Sequence, residues 1–311
     1  MTSRTHVTKT VMLLAALALA ACGNYSNDDL DFQLALPQDG ELEAKLPQAL
    51  TLDTAPEYYT RTRQVVTTFN GGAAELVGLV DRVRSNSPSS RNGAERTWGP
   101  FADAKHPGWQ IRVVMERLAD PNEPPPAFQI LYSVQIRDTT QRSSSFFDFM
   151  TGKYKSSGSA RRGEGEMHLD LRPARTASYP VDDFGELSQL DLDYNTLQYP
   201  ITVNMDITNV ATANTSQAHY QYTESADGSG TLVFDWTVDA VPGVPGPTDV
   251  TFISRWLGSG AGRADAYLSN GNVAVGTDCW GPDTAAAYVW RWDGKGDLGT
   301  ADLCAIGAPV L

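Results

Sequence analysis

The stretch Glu164-Gly-Glu-Met-His-Leu-Asp-Leu-Arg172 has the densest set of groups able to move protons. Read as a strand, it puts Glu164, Glu166, His168, Asp170 and Arg172 on one face, where an imidazole beside carboxylates can act as a general base. The same alternation puts Met167, Leu169 and Leu171 on the other face, so the charged stripe reads as the solvated side of a half-buried strand. Gly258-Ser-Gly-Ala-Gly262 has its serine in the wrong frame for a nucleophile elbow, and its glycines suit a turn. Asp293, Lys295 and Asp297 copy the spacing of a calcium loop, but a lysine occupies a ligand position and Leu298 stands where the loop needs glycine. Asp182, Asp183, Glu186, Asp191 and Asp193 read as a solvated acidic loop rather than the shell of a hard cation. We therefore assign no catalytic residue, no metal ligand and no cofactor, and expect a protein that is not an enzyme.

Two further groups carry chemistry of a different kind. Cys279 and Cys304 lack C-x-x-C spacing and a nearby histidine, and in an exported chain such a pair is expected to close a disulfide. A loop of about 25 residues closed in this way stabilises by roughly 3 kcal/mol. Seven tryptophans accompany them. Phe234, Trp236 and Trp256 fall on strand faces that are otherwise apolar, and Tyr288, Trp290 and Trp292 alternate along one strand. Aromatics two residues apart on one face can line a groove for a sugar, lipid or peptide; they can equally fill a core. Phe234, Trp236 and Trp256 are the candidate groove residues.

The 311 residues carry 24 basic and 37 acidic side chains, a formal charge of −13 that argues against nucleic acid as a partner. Three cysteines and four histidines exclude a disulfide-dense scaffold and most multi-ligand metal centres. The amino terminus is different in character. Arg4 and Lys9 precede the apolar run Val11–Ala21, which is too short for a bilayer that needs about 20 residues, and small residues end it. That run closes on Leu19-Ala20-Ala21-Cys22-Gly23, which resembles the lipobox of bacterial lipoproteins. The resemblance implies cleavage before Cys22, diacylglycerol on its thiol and acylation of the new amino terminus. Acyl chains contribute about 0.8 kcal/mol per buried methylene, so several together anchor a protein to a membrane stably. In the family, Asp after the cysteine marks retention at the inner membrane, so Gly23 implies the outer membrane. Residues 1–21 are thus expected to be a lipoprotein signal peptide.

Residues 22–53 are acidic, contain Pro and Gln, and show no sustained apolar period. They read as a flexible tether whose like charges extend it, or as a partner-binding arm. Residues 54–311 read as one β-rich domain with two helices at its start. Thr54, Pro56 and Glu57 form a capping pattern; Tyr58, Thr62, Val65, Val66 and Phe69 recur at helical spacing; and Gly71-Gly72 are expected to stop the helix. Leu76, Leu79, Val80 and Val83 predict a second, shorter one. Beyond about Arg96 the runs alternate. Ile201 to Thr208, and Tyr220 to Val238 folded about Ala226-Asp-Gly-Ser-Gly230, are the clearest strand and hairpin. The last strand of the series is placed at Leu303 to Ile306. Only Asp182 to Leu192 could supply the helix that a parallel crossover requires.

Eleven or twelve strands approach the limit at which a twisted sheet curls or splits. We expect a mainly β, α+β fold: a large curled antiparallel sheet or incomplete barrel with the two helices packed on it, or, alternatively, a two-sheet sandwich. In element order alone the curled sheet resembles bacterial lipoprotein carriers and receptors of the Lol type. The function expected is a non-catalytic, lipid-anchored envelope module that binds an amphiphile, a lipid or a protein segment. A structural or interaction lipoprotein of the outer membrane is the alternative, and an exported hydrolase ranks third.

Overall fold

A computed structural model describes residues 27–34, 36–37, 40–47, 55–84, 86–119, 128–156, 163–210, 215–238, 244–246, 248–268 and 273–309. The signal segment, Cys22 and Thr54 lie outside them.

Fourteen strands follow one another in chain order in a single sheet, each antiparallel to the next: β1 (Ser90–Asn92), β2 (Glu95–Ala102), β3 (Trp109–Ala119), β4 (Phe128–Asp138), β5 (Phe147–Ser156), β6 (Gly163–Asp170), β7 (Leu187–Asn195), β8 (Ile201–Val210), β9 (Thr215–Glu224), β10 (Gly230–Val238), β11 (Thr248–Trp256), β12 (Gly262–Leu268), β13 (Ala274–Trp280) and β14 (Ala286–Arg291). β1 and β14 do not pair with each other, so the curled sheet stays open. One sheet, and not two, excludes the sandwich alternative. Sequence reasoning missed β1, β2 and β7. β7 covers the segment held open for a helix, because Leu190, Leu192 and Tyr194 alternate with Asp191 and Asp193 and meet β6 and β8 on either side. Leu303 to Ile306 is not a strand; a 3-10 turn at Ala301–Leu303 takes its place.

Inside the curl lies one helix, not two: α2 (Glu57–Arg84) runs unbroken through Gly71 and Gly72. At 1.5 Å per residue it is about 42 Å long. Its stripe of Tyr59, Thr62, Val65, Val66, Phe69, Ala73, Leu76 and Val77 is buried, and that burial outweighs the roughly 1 kcal/mol each glycine costs in a helix. Gly72 faces Met205 and Leu190, with room for a Cβ at ordinary contact distances of 3.8–4.0 Å, so this glycine is not required by the packing of the helix on β7 and β8. The helix crosses the curl obliquely. Tyr59 meets Trp280 of β13, Thr62 bonds Ser254 of β11 at 2.5 Å, and Phe69 meets Tyr220 and Tyr222 of β9. Its amino terminus is capped from afar: buried Asp278 of β13 accepts the Tyr58 N–H at 2.7 Å and the Arg291 guanidinium at 2.6 Å.

The described part of the expected tether is folded. α1 (Asn27–Leu34) buries Phe32, and the segment after it buries Leu36, Leu42 and Ala44. Asp29, wholly buried, accepts from Arg96 at 2.8 Å and Arg91 at 2.9 Å, while the guanidiniums of Arg96 and Arg117 lie over the Phe32 ring. Further on, Asn70 of α2 exchanges two hydrogen bonds with the Ala44 backbone, and the Lys45 N–H donates to the Tyr222 hydroxyl. The apolar residues are buried without a helical or strand period, so periodicity could not reveal them.

Candidate functional site

Between α2 and the inner face of β6–β9 lies a cavity of about 870 Å³. One side of the helix supplies Arg61, Gln64, Val65, Thr68, Gly72 and Leu76, spaced three and four apart so that they share a face. The sheet supplies Leu169, Leu187, Leu190, Ile207, Ala218 and Tyr220, with Phe184 from the 3-10 turn Asp182–Phe184. The deep part is therefore apolar. Arg61, Gln64, Thr68, Asn209, Gln217 and Asp235 supply the polar part. A volume of this size, mostly apolar with a few polar groups, matches that of small-molecule sites.

The register explains how this space reaches the surface. The β9–β10 ladder ends at Tyr220↔Phe234, while β9 continues along β8 to Thr215 and β10 continues along β11 to Val238. The two strands part there and leave a slot in the sheet. Ala218 and Tyr220 alternate inward on β9, and Leu232 and Phe234 do so on β10, so Gln217 and Asp235 occupy outer-face positions. Both still line the cavity, which places its mouth at the slot.

Two of the three candidate groove residues, Phe234 and Trp256, lie elsewhere. Phe234 and Trp256 are fully buried: Phe234 stacks on Phe252 with ring centroids 4.9 Å apart, and Trp256 stacks on Tyr222 at 6.2 Å. The Trp256 indole covers Gly230, where a Cβ would come within 2.5 Å of the ring. These two aromatics fill the core rather than line a groove, because the indole itself occupies the space over Gly230 and the Phe234 ring is stacked on Phe252. Trp236 takes its place in β10 opposite Val250, and its side chain lies outside the described residues. The cavity residues escaped notice because Leu, Ile, Ala and Gly at core spacing carry no chemical signal. Only the parting of β9 from β10 distinguishes them.

The charged groups named from sequence are placed as follows. Glu164, Glu166 and His168 lie on the outer face, where Lys153 pairs with Glu166 at 2.7 Å, Lys155 with Glu164 at 3.6 Å and His168 Nδ1 with Asp191. Asp170 is held by Arg172 at 2.7 Å. Partial burial, then Glu166, pushes the Asp193 carboxyl above its ordinary range. Strand register also aligns Ser133, Thr151, His168 and Asp191 across β4–β7, around an outer hollow of about 550 Å³. Among the described residues no hydrogen bond joins His168 to either hydroxyl. The neighbouring backbone N–H groups are engaged in ladders, so the row has no preorganised oxyanion donors. Asp182 and Glu186 stand apart from Asp191 and Asp193, which lie on β7, and the Asp183 side chain lies outside the described residues. Gly258–Gly262 forms the β11–β12 turn, with Gly260 at φ +95°; Asp293 accepts the Lys295 N–H within the Asp293–Gly299 turn, and Asp297 accepts the N–H of Arg291 at the end of β14. Among the described residues no three His, Cys, Asp or Glu side chains gather as a metal shell.

Among the buried polar clusters that sequence reasoning passed over is that of Asp103. Buried Asp103 accepts the Tyr179 hydroxyl at 2.7 Å, His106 Nδ1 at 3.0 Å and the Lys105 N–H at 3.0 Å. Burial alone would raise the Asp103 carboxyl, but the Tyr179 and His106 bonds outweigh it and hold the group below its ordinary range. The Tyr179 hydroxyl is bound to the Asp103 carboxylate, so the cluster clasps the β2–β3 connection to the segment before β7. Cys279 and Cys304 are joined by a disulfide, with Cα atoms 5.3 Å apart. No family model, no curated protein and no solved structure matches this chain.

Proposed function

We propose that this protein is a lipid-anchored lipoprotein of the cell envelope, at the outer membrane, that holds an amphiphile without transforming it. The observation that carries the proposal is the cavity between α2 and the sheet, apolar in its depth and polar at its mouth. Acyl or other apolar chains gain from burial against Leu76, Leu190 and Ile207, while a head group stays near Arg61, Gln64 and Asp235. The Leu19-Ala20-Ala21-Cys22 end of the apolar run supports membrane attachment through Cys22, which keeps the cavity beside a supply of such molecules.

The test is retention and uptake. Protein extracted in mild detergent and examined by native mass spectrometry should carry an amphiphile, and the stripped protein should bind a fluorescent hydrophobic dye stoichiometrically. A chain that carries no lipid and takes up no dye would instead be an interaction lipoprotein without a small ligand.

A further inference from the structure

An amphiphile held in this cavity must place its head group at the mouth, and among the described residues two formal charges line the cavity, Arg61 and Asp235. They sit on different sides of the sheet. Arg61 projects from α2 inside the curl, with its guanidinium 5.4 Å from the ring centroid of inner-facing Phe252. Asp235 occupies an outer-face position on β10, beyond the last β9–β10 pair. Among the described residues no ion pair joins the two. Each keeps bonding capacity. Arg61 meets half-exposed Glu57 at 3.3 Å and has further N–H donors; Asp235 accepts the Thr251 hydroxyl at 2.6 Å on one oxygen. A cation inside and an anion outside, with the slot between them, form an ordered pair.

We infer that the cavity takes a lipid with a zwitterionic head of the phosphoethanolamine type, its phosphate at Arg61 and its terminal ammonium reaching through the slot to Asp235. The inference rests on the amphiphile reading of the cavity. The order of charges follows from depth: the group next to the apolar chain meets Arg61 first, and the group farthest from it meets Asp235. A guanidinium fork suits a phosphate. A head that ends in a second anion sets like charges together at Asp235, and one that ends in a neutral alcohol leaves that carboxylate without its cation.

The experiment titrates the stripped full-length protein with palmitoyl lysophosphatidylethanolamine, palmitoyl lysophosphatidylglycerol and palmitate, with dye uptake measured alongside. The ethanolamine lipid should bind about five- to tenfold more tightly than the glycerol lipid, a ratio that shrinks with added salt. Asp235→Asn, which keeps an acceptor for Thr251, should abolish that preference. Arg61→Gln should weaken all three probes, and Arg61→Lys should restore part of the loss. Equal affinity for the two lysolipids, or a preference that survives Asp235→Asn, would overturn the inference. So would displacement of the lipid by soluble phosphoethanolamine at the same concentration, since that would mean the head alone is recognised. Dye uptake without head-group preference refutes this inference only, whereas no dye uptake removes the amphiphile reading and this inference with it.

Discussion

At the scale of single residues, the buried carboxylates have structural work. Asp29 holds α1 to the sheet edge through Arg91 and Arg96, and Arg96 is itself buried. Asp29→Ala removes the partner of a buried charge, so a loss of about 3–5 kcal/mol is expected. Chemical denaturation should show the loss, and limited proteolysis should show earlier cutting around Leu34. A result within about 0.5 kcal/mol of wild type would contradict the clamp. Asp103 makes a pH prediction. Its folded carboxyl lies below the ordinary value near 3.9, so its contribution is fully present above that pH and is lost as the pH falls through the folded value. Asp103→Asn should therefore flatten the acid limb of the stability–pH curve; an unchanged limb would mean that the carboxylate is not stabilised in the folded state.

Elements show how local and tertiary forces compete. α2 continues through Gly71-Gly72 because both of its halves bury one stripe against the same curled sheet. Gly72 faces the cavity, and a Cβ there would meet only Met205 and Leu190 at ordinary contact distances of 3.8–4.0 Å. Gly72→Leu should thus keep or raise the melting temperature by improving helix propensity, and should reduce dye uptake severalfold by filling the cavity. Undiminished uptake would place the dye somewhere other than this cavity. The Cys279–Cys304 disulfide ties the segment after β14 to β13. Cys304→Ala is expected to cost about 2–4 kcal/mol and lower the melting temperature, with dye uptake retained. Loss of binding at unchanged stability would give the bond a role in ligand binding instead.

For the whole molecule, the distance from Cys22 to the fold matters most. α1 begins at Asn27, five residues beyond Cys22, and an extended chain of that length spans at most about 17 Å. Residues 22–53 were expected to form an extended acidic tether; if Cys22 carries a lipid, the docking of α1 would keep the domain within that reach of the membrane. If Cys22 carries the lipid, Cys22→Ser should shift the protein from the membrane fraction to the soluble fraction, or leave it unprocessed at higher mass. Membrane retention of a processed Cys22→Ser chain would refute anchoring through this residue.

The strands with strict alternation, such as Ile201–Thr208 and the Tyr220–Val238 hairpin, were legible because their pattern is local: period two along the chain, with turn residues between. So were the all-antiparallel sheet, the curl demanded by its strand count, and the pairing of Cys279 with Cys304. The case for lipidation rests on the chain alone, since the apolar run and the resemblance of Leu19-Ala20-Ala21-Cys22 to a lipobox are read without a fold. What the tertiary structure decided rests on contacts between residues far apart in sequence. Asp278 caps a helix that starts more than 200 residues before it, Asp29 finds Arg96, and an indole covering Gly230 turns an expected groove into core. The cavity belongs to the same class. It exists because the β9–β10 ladder stops at Tyr220↔Phe234 while each strand keeps its other neighbour, and no residue type at those positions announces where a ladder will part.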